Sequence, residues 1–205
     1  MHTYTDRILA APSVIVQNTI DKSLRTPQEI FDDLRMLQIM HWDFGGQIRL
    51  GWEIVHLVML QTRRRYYRLA WELKFPIHSV IPACFFDWDD RKSCDYNNSS
   101  CHNMRRIDDG TGRWSLHAVA CAGDTNPVQN PCIIFDDNGL ETDRVPLLGV
   151  YDEDAPGTLT GDHELVKYME GEGLDWGGRW TTLKDPQHFQ MKRELLPDIL
   201  RKYVG

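Results

Sequence analysis

The chain has no apolar run long enough to cross a membrane, no basic leader ahead of a continuous apolar segment, no CxxC pair, no internal repeat and no low-complexity tract. These absences argue against a membrane span, a secretory signal, a cysteine-zinc cluster, a thioredoxin-like redox site and a repeat architecture. The expectation is a protein made in the cytoplasm without a signal peptide. Positive charge is in deficit: 23 Lys and Arg stand against 30 Asp and Glu, a net charge of -7. That balance disfavours a nucleic-acid partner. The one dense basic run, Arg63-Arg64-Arg65, falls inside an apolar periodic segment and reads as a solvated helix face. Cys84, Cys94, Cys101, Cys121 and Cys132 are odd in number, so at least one thiol is unpaired within the chain. An oxidising compartment would allow a Cys94–Cys101 disulfide, the alternative being buried or free thiols.

With 41% hydrophobic residues in 205, the chain can bury one sizeable core, and one domain over 1–205 is expected. Residues 1–50 read as an N-terminal helical extension. Thr26-Pro27-Gln28-Glu29 is a helix start with proline at the first position, and a short helix through Leu37 should follow. From Glu53 to Leu73, Val55, Val58, Met59, Tyr66, Leu69, Ala70 and Leu73 recur at helical spacing, and Phe75-Pro76 ends the run. Residues 77–86 read as a buried strand, 87–100 as a polar excursion, 114–119 and 132–135 as strands, and 136–162 as a polar, mobile insertion. Helix over 163–172, a glycine-punctuated turn over 173–180, a strand at 188–190 and a closing helix over 194–203 complete an α+β pattern. N-terminal helices are expected to pack on a small, mainly antiparallel sheet that carries a metal site in the core, 51–205.

The chemistry-bearing residues are Ser115-Leu116-His117-Ala118-Val119-Ala120-Cys121-Ala122-Gly123-Asp124 and Asp185-Pro186-Gln187-His188-Phe189. Two imidazoles and a carboxylate are a sufficient protein shell for one hydrolytic Zn2+, which keeps a fourth position for water. The spacing of His117 and Asp124 suits a turn that brings both to one ion, and Asp185 lies three residues before His188, close enough to serve a bound water without being a ligand. His41, His56, His78, His102 and His163 lack such partners and read as surface or packing residues.

SLHAVACAGD followed by Thr125-Asn126-Pro127-Val128-Gln129-Asn130-Pro131 resembles the S-x-H-x-x-G-x-A-x-D signature of the VanY-like family of zinc D-alanyl-D-alanine carboxypeptidases and L-alanyl-D-glutamate peptidases. Lys74-Phe75-Pro76-Ile77, the segment from Ser93 to Arg105, and Gly173-Leu174-Asp175-Trp176-Gly177-Gly178-Arg179-Trp180 are similar to further family motifs in the same order. The resemblance implies His117, Asp124 and His188 as zinc ligands, Asp185 as general base and acid, Arg105 as a binder of a substrate carboxylate, and Ser115 as a substrate contact or a loop-orienting residue. It implies a peptidoglycan stem peptide as substrate. Aspartate rather than glutamate in D-x-x-H favours an L-alanyl-D-glutamate endopeptidase over a D-alanyl-D-alanine carboxypeptidase; a relative that only binds a peptide or partner, with structural zinc, is the reading of another class. Three positions depart from the family pattern: Ala120 replaces a glycine, Gly123 an apolar residue and Arg179 an acid. Action on the wall from the periplasm would need release by a holin, as for a phage endolysin, or injection as an effector, which would have an immunity protein as partner.

Overall fold

The computed structural model describes residues 2–11, 26–107 and 110–204. In chain order, β1 (Asp6–Ala10), α1 (Gln28–Phe31), β2 (Leu34–Trp42), β3 (Ile48–His56) and α2 (Leu57–Glu72) lead to β4 (Ser79–Val80), α3 (Asp90–Asp95) and β5 (Asn98–Ser99). Then come β6 (Ala122–Asp124), β7 (Cys132–Phe135), β8 (Glu141–Val145), α4 (Glu164–Gly171), β9 (Leu174–Trp176), β10 (Leu183–Lys184), β11 (His188–Met191) and α5 (Asp198–Val204). The strands form antiparallel sheets β1-β2-β3, β10-β7-β8 and β6-β11-β9, plus a short parallel pair β4-β5. No helix among the described residues is long and apolar enough to cross a membrane.

The N-terminal region is a sheet rather than a helical extension. The helix that opens at Pro27 stops after Phe31, because Leu37, Ile39 and His41 bury alternate positions along one face of a nine-residue strand. A period of two places these three on the core together, whereas a helix would turn Ile39 away from Leu37 and His41. The part of the expected extension over 12–25 lies outside the described residues. The β2–β3 turn is fixed by the Asp43 carboxylate, which accepts from the amides of Gly45 and Gln47 at 2.9 and 2.8 Å.

Helix α2 begins at Leu57, where the His56 ring accepts from the Val58 amide at 3.3 Å. Glu53 to Val55 therefore belong to β3, and Val58 and Leu73 are exposed. The buried stripe is Met59, Leu60, Arg63, Tyr66, Tyr67, Ala70 and Trp71. Arg63 thus corrects the reading of the basic run: it is fully buried against Glu53, while Arg64 pairs with Asp6 and Arg65 alone of the three is exposed. Periodicity places Arg63 on the inner face; its charge conceals a burial that only a distant carboxylate permits.

Four further expectations change. Residues 77–86 hold a two-residue strand and a 3₁₀ turn, 87–100 contain α3 and β5, 114–119 form a 3₁₀ turn, and the 136–162 segment contributes β8 to a sheet. All five cysteines are free thiols, so Cys94 and Cys101 are not bridged. The result is a single α+β domain around one main core, in which Ile54, Met59 and Tyr66 meet Leu165, Met169 and Phe189. At the chain's end, α5 lies against the 3₁₀ turn at 116–119, with the Trp114 and Tyr203 rings stacked at 4.9 Å.

Candidate metal centre

Ser115 starts the site. Its hydroxyl accepts from the His117 amide at 3.2 Å and caps the turn Leu116–Val119, so the residue orients the loop. Ala120 closes the turn in the left-handed region, φ 52°, and the chain then enters β6, which ends at Asp124. On the neighbouring strand His188 stands directly opposite Asp124. A short turn and one antiparallel rung therefore converge three side chains separated by up to 71 positions.

The ligand atoms of His117, Asp124 and His188 all lie within 4.8 Å of one another, and all three residues are buried. His117 Nδ1 donates to the Cys101 carbonyl at 2.6 Å, leaving the Nε2 lone pair directed inward. His188 Nε2 meets the Gln190 side-chain oxygen at 3.2 Å, leaving Nδ1 directed inward. These two inward nitrogens are 3.2 Å apart, and Asp124 oxygens lie 2.9 Å from His188 Nδ1 and 3.3 Å from His117 Nε2. Two imidazole lone pairs and a carboxylate aimed at one point, each imidazole held from behind by an oxygen acceptor, form a donor set that fits a divalent cation. Burial would raise the Asp124 pKa, but His117 and His188 hold it well below the carboxylate range. Burial would likewise lower that of His188, yet Asp124 raises it. A proton thus competes with a cation for this cluster.

Asp185 sits beside the cluster, its carbonyl accepting from the His188 amide at 3.0 Å. Burial, opposed by His188 and reinforced by the Asp124 charge, pushes its pKa up to about 6, and its buried Oδ1 has no hydrogen-bond partner. The WGG turn shapes this approach: a Cβ at Gly177 would lie 2.4 Å from the Asp185 carbonyl oxygen, so only glycine admits the segment. Trp176 Nε1 donates to the Pro186 carbonyl at 2.7 Å, and the Trp180 ring faces His188 at 5.4 Å. Arg179 turns outward onto Glu170.

Asp124, Asp185, His188, Arg105 and Ser115 line one cavity of about 670 Å³. Arg105 Nε lies 3.2 Å from the Asp90 carboxylate; burial would lower its pKa, but Asp90 and Asp124 raise it, so the guanidinium remains charged. The five histidines set aside on sequence are elsewhere employed: His56 and His163 cap helices, His102 is buried against the His117 carbonyl at 3.2 Å, and His41 and His78 bond locally. Sequence reasoning missed Gln190, Asp90 and the Cys101 carbonyl. Gln190 carries a signal, two residues from His188 on the same strand face; a backbone carbonyl carries none.

Residues 109–191 match the family model described as D-alanyl-D-alanine carboxypeptidase. No curated protein and no solved structure matches the chain. The matched span holds His117, Asp124, Asp185 and His188 and leaves out the β1-β2-β3 sheet, α2 and Arg105. Over this span, which is less than half of the chain, the match agrees with the resemblance to the VanY-like family of D-alanyl-D-alanine carboxypeptidases.

Proposed function

We propose that the protein is a zinc-dependent peptidoglycan hydrolase that cuts the stem peptide, with the L-alanyl-D-glutamate bond as the target. The observation that carries this reading is the convergence of His117 Nε2, Asp124 and His188 Nδ1 on one point, with Asp124, His188 and Asp185, whose buried Oδ1 is unpartnered, lining one cavity. His117, Asp124 and His188 would hold the zinc, which would supply Lewis acidity and lower the pKa of a water from about 15.7 to roughly 7. Asp185, ionised above about pH 6, takes the proton of the attacking water at its free oxygen and returns it to the leaving amine. Arg105, kept charged by Asp90, pairs with a substrate carboxylate. Ser115 acts through the turn that presents His117. Its site of action is the wall, reached from the periplasm.

The choice of bond rests on aspartate in the D-x-x-H position. The description of the matched family favours the second reading, removal of a terminal D-alanine with the same residues. Mass spectrometry of muropeptides incubated with zinc-loaded protein separates them: a fragment beginning at D-glutamate is the expected product, and loss of one D-alanine establishes the second reading. Asp185→Ala should keep zinc and lower turnover by about 10²–10⁴-fold. Zinc binding without any product from the wild type would overturn both readings and leave a peptide-binding relative.

A further inference from the structure

Below the metal centre lies a polar cluster that the reaction does not use. Arg63 donates from Nε and Nη2 to the Glu53 carboxylate at 2.9 and 2.6 Å, and both side chains have no solvent exposure. Tyr67 hydroxyl donates to Glu53 at 2.8 Å, and the guanidinium lies 4.8 and 5.1 Å from the centroids of Tyr66 and Tyr67. Burial alone would lower the Arg63 pKa, but Glu53 raises it well above the ordinary value, so the pair is ionic. Such a pair is seldom the most stable filling for a core, since apolar residues of similar volume commonly do as well or better. Its position supplies another reason for it.

A Cβ built on Gly123 would stand 3.1 Å from Arg63 Cζ and Nη1 and 3.3 Å from Nη2. The guanidinium therefore occupies the place of the missing side chain of the residue next to Asp124. Neighbouring residues of a strand face opposite ways, so Arg63 supports one face of β6 while Asp124 offers its carboxylate from the other. Gly123 pairs with Phe189 on the rung beside the Asp124–His188 rung. One turn along α2, Tyr66 hydroxyl donates to Thr125 Oγ1 at 2.9 Å and its ring meets Phe189 at 6.0 Å, so 123–125 are held at two points from the same helix.

We infer that Arg63, clamped by Glu53, is a positioning residue for the metal centre: with Gly123 it sets how β6 seats on α2, and hence where Asp124 stands relative to His117 and His188. The inference rests on the metal-centre reading above. It also accounts for Gly123, where a larger residue would have to displace a side chain that two charge-assisted hydrogen bonds keep in place.

The test uses the full chain and metal alone. Glu53→Gln with Arg63→Met removes both charges together, so neither is left buried and unpaired. Zinc affinity, measured by chelator competition, is expected to fall about 10–100-fold, the range for residues that orient metal ligands. The absorption spectrum of the cobalt-loaded protein should change while the melting temperature stays within a few degrees. Gly123→Ala, which keeps both charged residues but crowds the guanidinium, is expected to move affinity and spectrum in the same direction, and to do so less when added to the double variant. Wild-type affinity and spectrum in both the double variant and Gly123→Ala would overturn the inference. If the wild type binds neither zinc nor cobalt, the metal-centre reading fails and takes this one with it; if it binds zinc but cuts no muropeptide, the cleavage reading fails while the affinity comparison still decides the role of Arg63.

Discussion

The two faces of β6 carry buried polar clusters built on opposite plans. Beneath it, Glu53 and Arg63 neutralise one another through two hydrogen bonds and share Tyr67. Above it, His117, Asp124 and His188 point their donors at one another, and Asp185 leaves an oxygen without a partner. The first cluster balances its charges within the folded chain, although Arg63 Nη1 has no hydrogen-bond partner; the second is a set of acceptors around a point where only a proton or a cation can balance them. A buried polar group without a partner costs about 1–3 kcal/mol, and each cluster holds one, Arg63 Nη1 below and Asp185 Oδ1 above, so what separates the clusters is charge: Glu53 and Arg63 neutralise one another, while the upper donor set has no counter-charge of its own. The contrast identifies which cluster is arranged for a ligand.

The sharpest way to break the contrast is to remove a donor from the upper cluster. Asp124→Ala or His188→Ala should reduce zinc binding below detection by calorimetry and turnover to background, with the fold retained by circular dichroism; full activity in either variant would end the metal-centre reading. On the lower side, Arg63→Ala leaves Glu53 buried without its counter-charge, and should cost about 3–5 kcal/mol in denaturant unfolding. A loss below about 1 kcal/mol would mean that Glu53 finds another partner or takes up a proton.

Asp185→Asn tests the incomplete plan through stability. The folded pKa of Asp185, about 6, lies above its ordinary value of 3.8, so protonation favours the folded state. Its stabilising contribution is full below pH 3.8 and is lost as pH rises to about 6; at pH 7 the ionised carboxylate costs at most about 3 kcal/mol. The metal-free variant should therefore melt higher than the wild type at pH 7 and show little advantage at about pH 3.5. Equal melting temperatures at both values would show that Asp185 has an ordinary pKa.

What the sequence revealed divides along the same strand. The upper cluster was legible because His117, Asp124, Asp185 and His188 fall in two short motifs whose residue types have few other uses together. The lower cluster was not: Arg63 stands in a run of three arginines, Glu53 is ten residues away on another element, and their meeting depends on the β3-to-α2 turn at His56. The elements show the same division. Helices at 57–72 and 164–171 follow from periodicity, with starts that His56 and His163 cap in the structure, whereas β6 and β9, at three residues each, are defined by pairing with β11 and offer no local pattern. The misread N-terminal sheet follows from a helix start at Pro27 that tertiary burial of Leu34, Leu37 and Ile39 overrides within a few residues.

Ala120 offers the finest adjustment of the comparison, because it ends the turn that carries His117 and leads into the strand that divides the clusters. Its φ of 52° is a conformation in which an L-residue costs about 1–2 kcal/mol, and glycine would remove that cost. Against this, Ala120 is fully buried, so losing its methyl forfeits about 0.8 kcal/mol, and glycine adds roughly 0.4–1 kcal/mol through the freedom of the unfolded chain. These contributions nearly cancel. Its carbonyl accepts from the His56 amide at 3.3 Å and from the Cys101 thiol at 3.3 Å, contacts that glycine keeps. Ala120→Gly should thus change unfolding free energy by less than about 1 kcal/mol and leave zinc affinity within about twofold, because the turn already has the shape that a glycine would take. A gain of several kcal/mol or a roughly tenfold rise in zinc affinity would show instead that alanine holds the His117 turn out of place, and that the upper cluster is incomplete through strain as well as through charge.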